Sequence, residues 1–104
     1  MREFPPQSLH GRWLRSSEED TASELVYRPQ GHRLPPSRGR EGLELRPDGI
    51  AVRTFPGATD TAAHRFGRWR LLGDRLQLEF EGEGAATSTL ELSDVSPDRI
   101  AVKR

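Results

Sequence analysis

From Leu43 onward the chain alternates apolar and polar residues with a period of two, in short runs separated by glycine, proline and aspartate. Successive side chains of an extended strand point to opposite faces, so this period is that of half-buried strands. No stretch repeats apolar residues at helical spacing over three turns. Leu43-Glu44-Leu45-Arg46 is followed by Pro47-Asp48-Gly49 and then Ile50-Ala51-Val52-Arg53. A type I turn with Gly49 as a left-handed bulge residue predicts a hairpin there, pairing Leu45 with Ile50 and Leu43 with Val52 on one apolar face.

A second hairpin is predicted across Gly73-Asp74. A two-residue loop fixes its register: Leu71 opposite Leu76, Trp69 opposite Leu78, Gly67 leaving room beside Phe80, and Arg68 opposite Glu79 on the charged face. Gly82-Glu83-Gly84 marks another connection. The run Thr89-Leu90-Glu91-Leu92 returns through Ser96-Pro97-Asp98 to Ile100-Ala101-Val102, with Leu92 against Ile100 and Leu90 against Val102. Earlier in the chain, Leu9-His10-Gly11-Arg12-Trp13 alternates, and Glu24-Leu25-Val26-Tyr27-Arg28 is rich in strand-forming residues. Residues 28–40, rich in proline, glycine and arginine, read as an ordered loop with at most a short strand.

Seven or eight short strands, each with one apolar face, must bury those faces between two sheets or inside a closed barrel. Hairpins in sequence favour closure. The predicted fold is all-β: one domain over residues 1–104, a small up-and-down antiparallel β-barrel. Sandwiches and five-stranded nucleic-acid-binding barrels require longer crossovers than most of these turns supply. With no cysteine in the chain, neither a disulfide nor a thiolate zinc site holds it together, and a reducing, cytoplasmic setting is expected. No apolar run has the form of an export signal or the length of a membrane span.

The chemistry of individual residues names no reaction. His10, His32 and His64 have no metal-ligand spacing with carboxylates, and the serines lack a nucleophile-elbow context, so no metal, no cofactor and no catalytic residue is expected. Fifteen of the 16 basic residues are arginine, a bias that a G- and C-rich genome also produces, while the formal net charge is zero. A polyanion needs a contiguous basic surface, so nucleic acid is not an expected partner. Acidic residues gather in Glu18-Glu19-Asp20 and arginines in the loop that carries Arg28, Arg33, Arg38 and Arg40. If there is a site, it is expected at the mouth these two segments form, with Glu19, Asp20, Tyr27, Arg28, Arg38 and Arg40 as candidate ligand-binding residues, because loops leaving a rigid scaffold bring polar groups together without breaking the core. The alternative is that the arginines pair with Glu18, Glu19 and Asp20 and fasten the loop to the barrel. Leu14, Val26 and Phe55 are candidates for an outward apolar contact patch.

Gly11-Arg12-Trp13 on a first strand, ahead of an up-and-down all-β pattern, resembles the lipocalin and calycin group of barrels. The resemblance implies structural roles for Gly11 and Trp13, with Trp13 packed at a closed end beside a basic residue of the last strand, Arg104 being favoured. It also implies an open end that admits a small apolar ligand. Ser17-Glu18-Glu19-Asp20, Val26-Tyr27-Arg28-Pro29 and Pro36-Ser37-Arg38-Gly39-Arg40 are similar to segments of short bacterial lipocalin-like proteins of no known activity. The chain departs from lipocalins proper in its length and in lacking cysteine, an export signal and a terminal helix pattern. Eight strands enclose an interior that side chains just fill or that holds one small ligand, and Trp13, Trp69, Phe80 and several leucines compete for that space. Three readings stay open: a barrel that binds a small molecule, a filled barrel that serves as a protein-interaction or structural module, and an enzyme of unnamed reaction.

Overall fold

The computed structural model describes residues 3–36, 39–56, 62–80 and 87–104, with the backbone alone described at Ala62. Eight strands form in chain order: β1 (Gly11–Arg15), β2 (Glu24–Pro29), β3 (Gly42–Leu45), β4 (Ile50–Pro56), β5 (Ala62–Leu72), β6 (Arg75–Phe80), β7 (Thr87–Ser96) and β8 (Arg99–Lys103). They close into an antiparallel barrel in the spatial order β1-β2-β8-β7-β6-β5-β4-β3. From β3 to β8 the chain is a meander in which each strand pairs with the next. The hairpin of β1 and β2 closes the ring, with β1 lying between β2 and β3. Both of those neighbours run opposite to β1, so the link 30–41 must travel the length of the barrel. Gln30 N–H donates to the Arg12 carbonyl at 2.8 Å at one end of that path, and Arg40 Nη1 donates to the Arg15 carbonyl at 3.0 Å at the other.

The hairpin of β5 and β6 has the expected register: Leu71 pairs with Leu76, Trp69 with Leu78, Gly67 with Phe80 and Arg68 with Glu79. The turn follows from Gly73, whose φ of 64° is open to glycine at no steric cost. The hairpin of β3 and β4 corrects the expected pairing by one residue, with Leu45 opposite Ala51 and Leu43 opposite Arg53. The cause is the bulge geometry itself. Gly49, at φ 88°, donates its N–H to the Arg46 carbonyl at 3.0 Å, and Arg46 N–H reaches the Ile50 carbonyl at 2.9 Å. Pro47, Asp48 and Gly49 thus form a three-residue loop, Arg46 faces Ile50, and every later position of β4 changes face relative to the expectation.

The hairpin of β7 and β8 is also corrected. Leu92 pairs with Val102 and Val95 with Ile100, because the register shifts between Leu92 and Asp94. The extra residue lets Leu92 and Val95, three apart, both pack in the core. Leu90 pairs on its other side with Leu76 of β6. Before β1 the expected strand residue Leu9 instead ends a 3₁₀ helix, Pro6–Leu9, and is fully buried across one end of the barrel. Pro6 near the start of that helix explains the difference, since its fixed φ suits a helical first turn and it has no N–H to lose. His10 follows as the cap and meets Trp69 edge to face at 5.7 Å between ring centroids.

The core runs as one cluster through Leu9, Trp13, Tyr27, Leu43, Leu45, Ala51, Trp69, Leu76, Leu78, Phe80, Leu92, Ile100 and Val102. Both tryptophans satisfy their indole N–H on backbone: Trp13 on the Leu9 carbonyl and Trp69 on the Arg46 carbonyl, each at 2.9 Å. Arg104 is not the partner of Trp13. It donates Nη1 to the Thr21 carbonyl at 2.8 Å and its N–H to the Ser23 carbonyl at 3.0 Å. β8 runs toward the end where β1 leaves the barrel, so its last residue reaches the segment that follows β1. Of the expected outward apolar residues, Val26 is buried and Phe55 shares a face with Arg53, while among the described residues Phe66 and Leu72 are the large apolar side chains that stand exposed. The connection at Gly82-Glu83-Gly84 lies outside the described residues. Among the described residues no helix is long and apolar enough to cross a membrane.

Candidate functional site

The end of the barrel reached by the last residue of β1 gathers charged groups onto the interior face. Arg15 shares the parity of buried Trp13, and its guanidinium lies 5.3 Å from the centre of the Tyr27 ring. On β4 the one-residue register turns Arg53 inward, opposite buried Leu43. Its guanidinium sits 5.6 Å from the Phe55 ring centre and 5.8 Å from that of Phe80. Arginine stacked on aromatic faces is held by the ring quadrupole and by packing of its stem. Arg53 Nε donates to Glu41 Oε1 at 2.6 Å, and the guanidinium also hydrogen-bonds the Tyr27 hydroxyl.

Asp20 completes this tier. Its carboxylate takes Arg15 in a fork, Nη1 to Oδ1 at 2.9 Å and Nη2 to Oδ2 at 2.6 Å. The same Oδ1 accepts the Val26 N–H at 2.9 Å, while Arg15 Nη1 donates to the Val26 carbonyl at 2.9 Å. β1 ends here, and this pair takes its place against the exposed edge of β2. The Arg15 hydrogen bond, opposed by burial, holds the Asp20 carboxyl below its ordinary range, and the Asp20 hydrogen bond raises the Arg15 guanidinium in turn. Burial, then the charge of Glu41, pushes the Tyr27 phenol up, against the pull of Arg15 and Arg53. The tier therefore presents two permanent cations, each with one carboxylate, around a neutral buried phenol and two aromatic faces.

The remaining sequence candidates lie outside this tier. Glu18, Glu19 and Asp20, consecutive in and after the 3₁₀ turn Ser17–Glu19, each engage an arginine from a different segment. Arg40 of the link meets Glu18 through Nη1 at 2.6 Å and Nη2 at 2.5 Å, and also donates Nη2 to the Pro35 carbonyl at 2.8 Å. Arg28 of β2 donates Nε to Glu19 at 2.8 Å and Nη1 to the Asp98 carbonyl at 3.1 Å. Hydrogen bonding to Arg40 lowers the Glu18 carboxyl to about 2. Between the link and the outer faces of β1 and β3 a space of about 90 Å³ remains, lined in part by Leu14, Arg40 and Thr54. That falls below the roughly 300–1,000 Å³ of small-molecule sites. Arg38 lies outside the described residues. Thus Asp20 and Tyr27 come together with Arg15, whereas Glu19, Arg28 and Arg40 are occupied in fastening one segment to another. Sequence reasoning missed Arg15, Glu41 and Arg53. The signal for Arg53 was the length of its hairpin loop, since three residues with Gly49 as bulge dictate the register that turns it inward.

Among the described residues no three His, Cys, Asp or Glu side chains converge in a way that would hold a metal ion. No protein-family model and no curated protein matches the chain. A solved structure, a lipocalin-like protein from Bacteroides uniformis ATCC 8492, aligns over 93% of this chain and 97% of its own, at 13% identity and a TM-score of 0.57. The fold is lipocalin-like. In this lipocalin-like barrel Gly11, at φ 128°, and Trp13, buried and bonded to Leu9, open the first strand. Identity this low carries the fold and leaves the chemistry to the residues described above.

Proposed function

We propose that the lipocalin-like barrel binds a small apolar molecule bearing an acid group, taken at the Arg15 end by Arg53. The observation behind this reading is the inward, half-buried Arg53, set among Phe55, Phe80 and Glu41. An arginine turned toward a barrel interior keeps its charge where water is scarce, and a ligand carboxylate that accepts from its terminal nitrogens would relieve that cost. Tyr27 supplies a neutral hydroxyl beside it, and Arg15 a second cation fixed by Asp20. The bound molecule is short in this reading. Below this tier the interior is taken by Trp13, Leu43, Leu45 and Leu78, all buried. Arg28 with Glu19, and Arg40 with Glu18, hold the rim segments in place.

Calorimetric titration with decanoate and with decanol tests the proposal. Saturable binding of decanoate is expected, weakened by about tenfold in Arg53→Gln, as for loss of a charge-assisted hydrogen bond. Decanol should be insensitive to the substitution. Equal decanoate affinity in a folded Arg53→Gln variant, or no saturable heat with the parent, would sink it. A second reading, a protein-contact module, draws on Phe66 at 56% and Leu72 at 48% exposure on β5. Loss of a partner on Phe66→Ser, with decanoate binding intact, would favour it.

A further inference from the structure

The opposite end of the barrel carries a groove that the Arg53 tier does not use. It measures about 710 Å³ and opens between the N-terminal segment, the start of β1, the end of β2 and the turn after β7. Its apolar walls include Phe4, Pro29, Val95 and Pro97, and buried Trp13 lies at its floor. Gly11 forms part of the lining, and a Cβ built there would meet nothing within 4 Å, so the space over its backbone is open. The rim carries one cation. Arg12 is exposed, and its cross-strand neighbour Glu44 is engaged by Arg46 at 3.4 Å, so among the described residues Arg12 has no ion pair. Gln30, tied by its N–H to the Arg12 carbonyl, brings a side-chain amide to the same rim.

We propose that this groove is a second binding site, for a flat aromatic carboxylate. The apolar faces of Pro29, Val95 and Pro97 pack against a planar ring system, and the volume lies within the range of small-molecule sites. A single guanidinium with all its donors free selects one carboxylate by a planar, bidentate contact. The site is independent of the Arg53 tier. Gly11 and Arg15 are four residue steps apart in extended chain, about 13 Å along β1.

The test follows backbone amides of the full chain by NMR during titration with 2-naphthoate, repeated with 2-naphthalenemethanol. Saturable shifts are expected at Gly11, Gln30 and Ser96 with 2-naphthoate. Arg12→Gln should weaken that binding about tenfold, the effect of a lost charged hydrogen bond, without changing the response to the alcohol. Arg53→Gln, which removes the cation of the other site, should leave the shifts at Gly11, Gln30 and Ser96 unchanged. Arg12 is a surface residue, so an unaltered amide spectrum for the variant verifies the fold. Shifts confined to Tyr27, Glu41 and Arg53, no saturable shift at all, or equal affinity in Arg12→Gln would each overturn the proposal.

Discussion

Replacing Gly67 with alanine adds one methyl group to β5 where the strand crosses closest to β6. A Cβ at that position would lie 1.9 Å from the Glu79 carbonyl oxygen and 2.8 Å from the Phe80 Cα, both backbone atoms. Neither can swing aside as a side chain does, so the two strands must part or β5 must twist. Elsewhere in a strand, exchange of glycine for alanine stabilises by about 0.4–1 kcal/mol, because the unfolded chain has fewer conformations to lose. Here overpacking opposes that gain with a cost of about 1–3 kcal/mol or more. Gly42 supplies the control. A Cβ there would meet Thr54, Leu14 and the Trp13 carbonyl at 3.6–3.7 Å, which is ordinary contact. Thermal unfolding followed by circular dichroism should show Gly67→Ala melting roughly 5–20 °C below the parent. Gly42→Ala should melt at or above it. A Gly67→Ala variant as stable as the parent would refute the close approach, and with it the pairing of Gly67 with Phe80.

Three further predictions concern the core, the link and the buried phenol. Trp13→Ala should cost about 3–5 kcal/mol in urea unfolding, as for a large buried aromatic, and a midpoint equal to the parent's would place Trp13 at the surface. Acid should weaken the structure through Glu18 and Asp20. Both carboxyls are held below their unfolded values of 4.5 and 3.8, so the stability they contribute is complete above those values and is lost as pH falls through their lowered folded values, about 2 for Glu18. Glu18→Gln should flatten that loss, and an unchanged dependence on pH would show that the Arg40 pair contributes nothing. Ultraviolet titration of the single tyrosine should give a midpoint above 10.0, moving higher in Arg53→Gln, whereas a midpoint at or below 10.0 would remove Tyr27 from the barrel interior.

What the sequence makes legible depends on how each hairpin fixes its register. Gly73-Asp74 is a two-residue loop, so the alternation on either side has one solution, and Trp69 against Leu78 follows. Pro47-Asp48-Gly49 marks a turn equally well, but an apolar residue stands on both sides of Ala51. Matching Ile50 and Val52 to the leucines therefore looks as good by pattern as the true pairing, and only the bulge geometry decides. The shift near Ser93 has no comparable signal, since serine is unremarkable in a strand and no glycine marks the bulge. Leu9 is legible as a core residue and not as helical, because four residues are too few for a helical period to register. Of the candidate site, Asp20 and Tyr27 were accessible from the acidic cluster and the strand beside it. Arg15 and Arg53 were not, because an arginine in an alternating strand is read as facing water until the register proves otherwise.

The inward Arg53 is the point on which the account of the Arg15 end depends, and its register can be observed directly. Nuclear Overhauser contacts in the isotope-labelled protein should link the Arg53 side chain to the Phe80 ring, and the backbone of Leu43 to that of Arg53. Contacts of the Ile50 and Val52 methyl groups with Leu43 and Leu45 across the interior, and an Arg53 side chain without contact to Phe80, would mean that β4 carries the opposite face inward and that Arg53 is not a cation of the barrel interior.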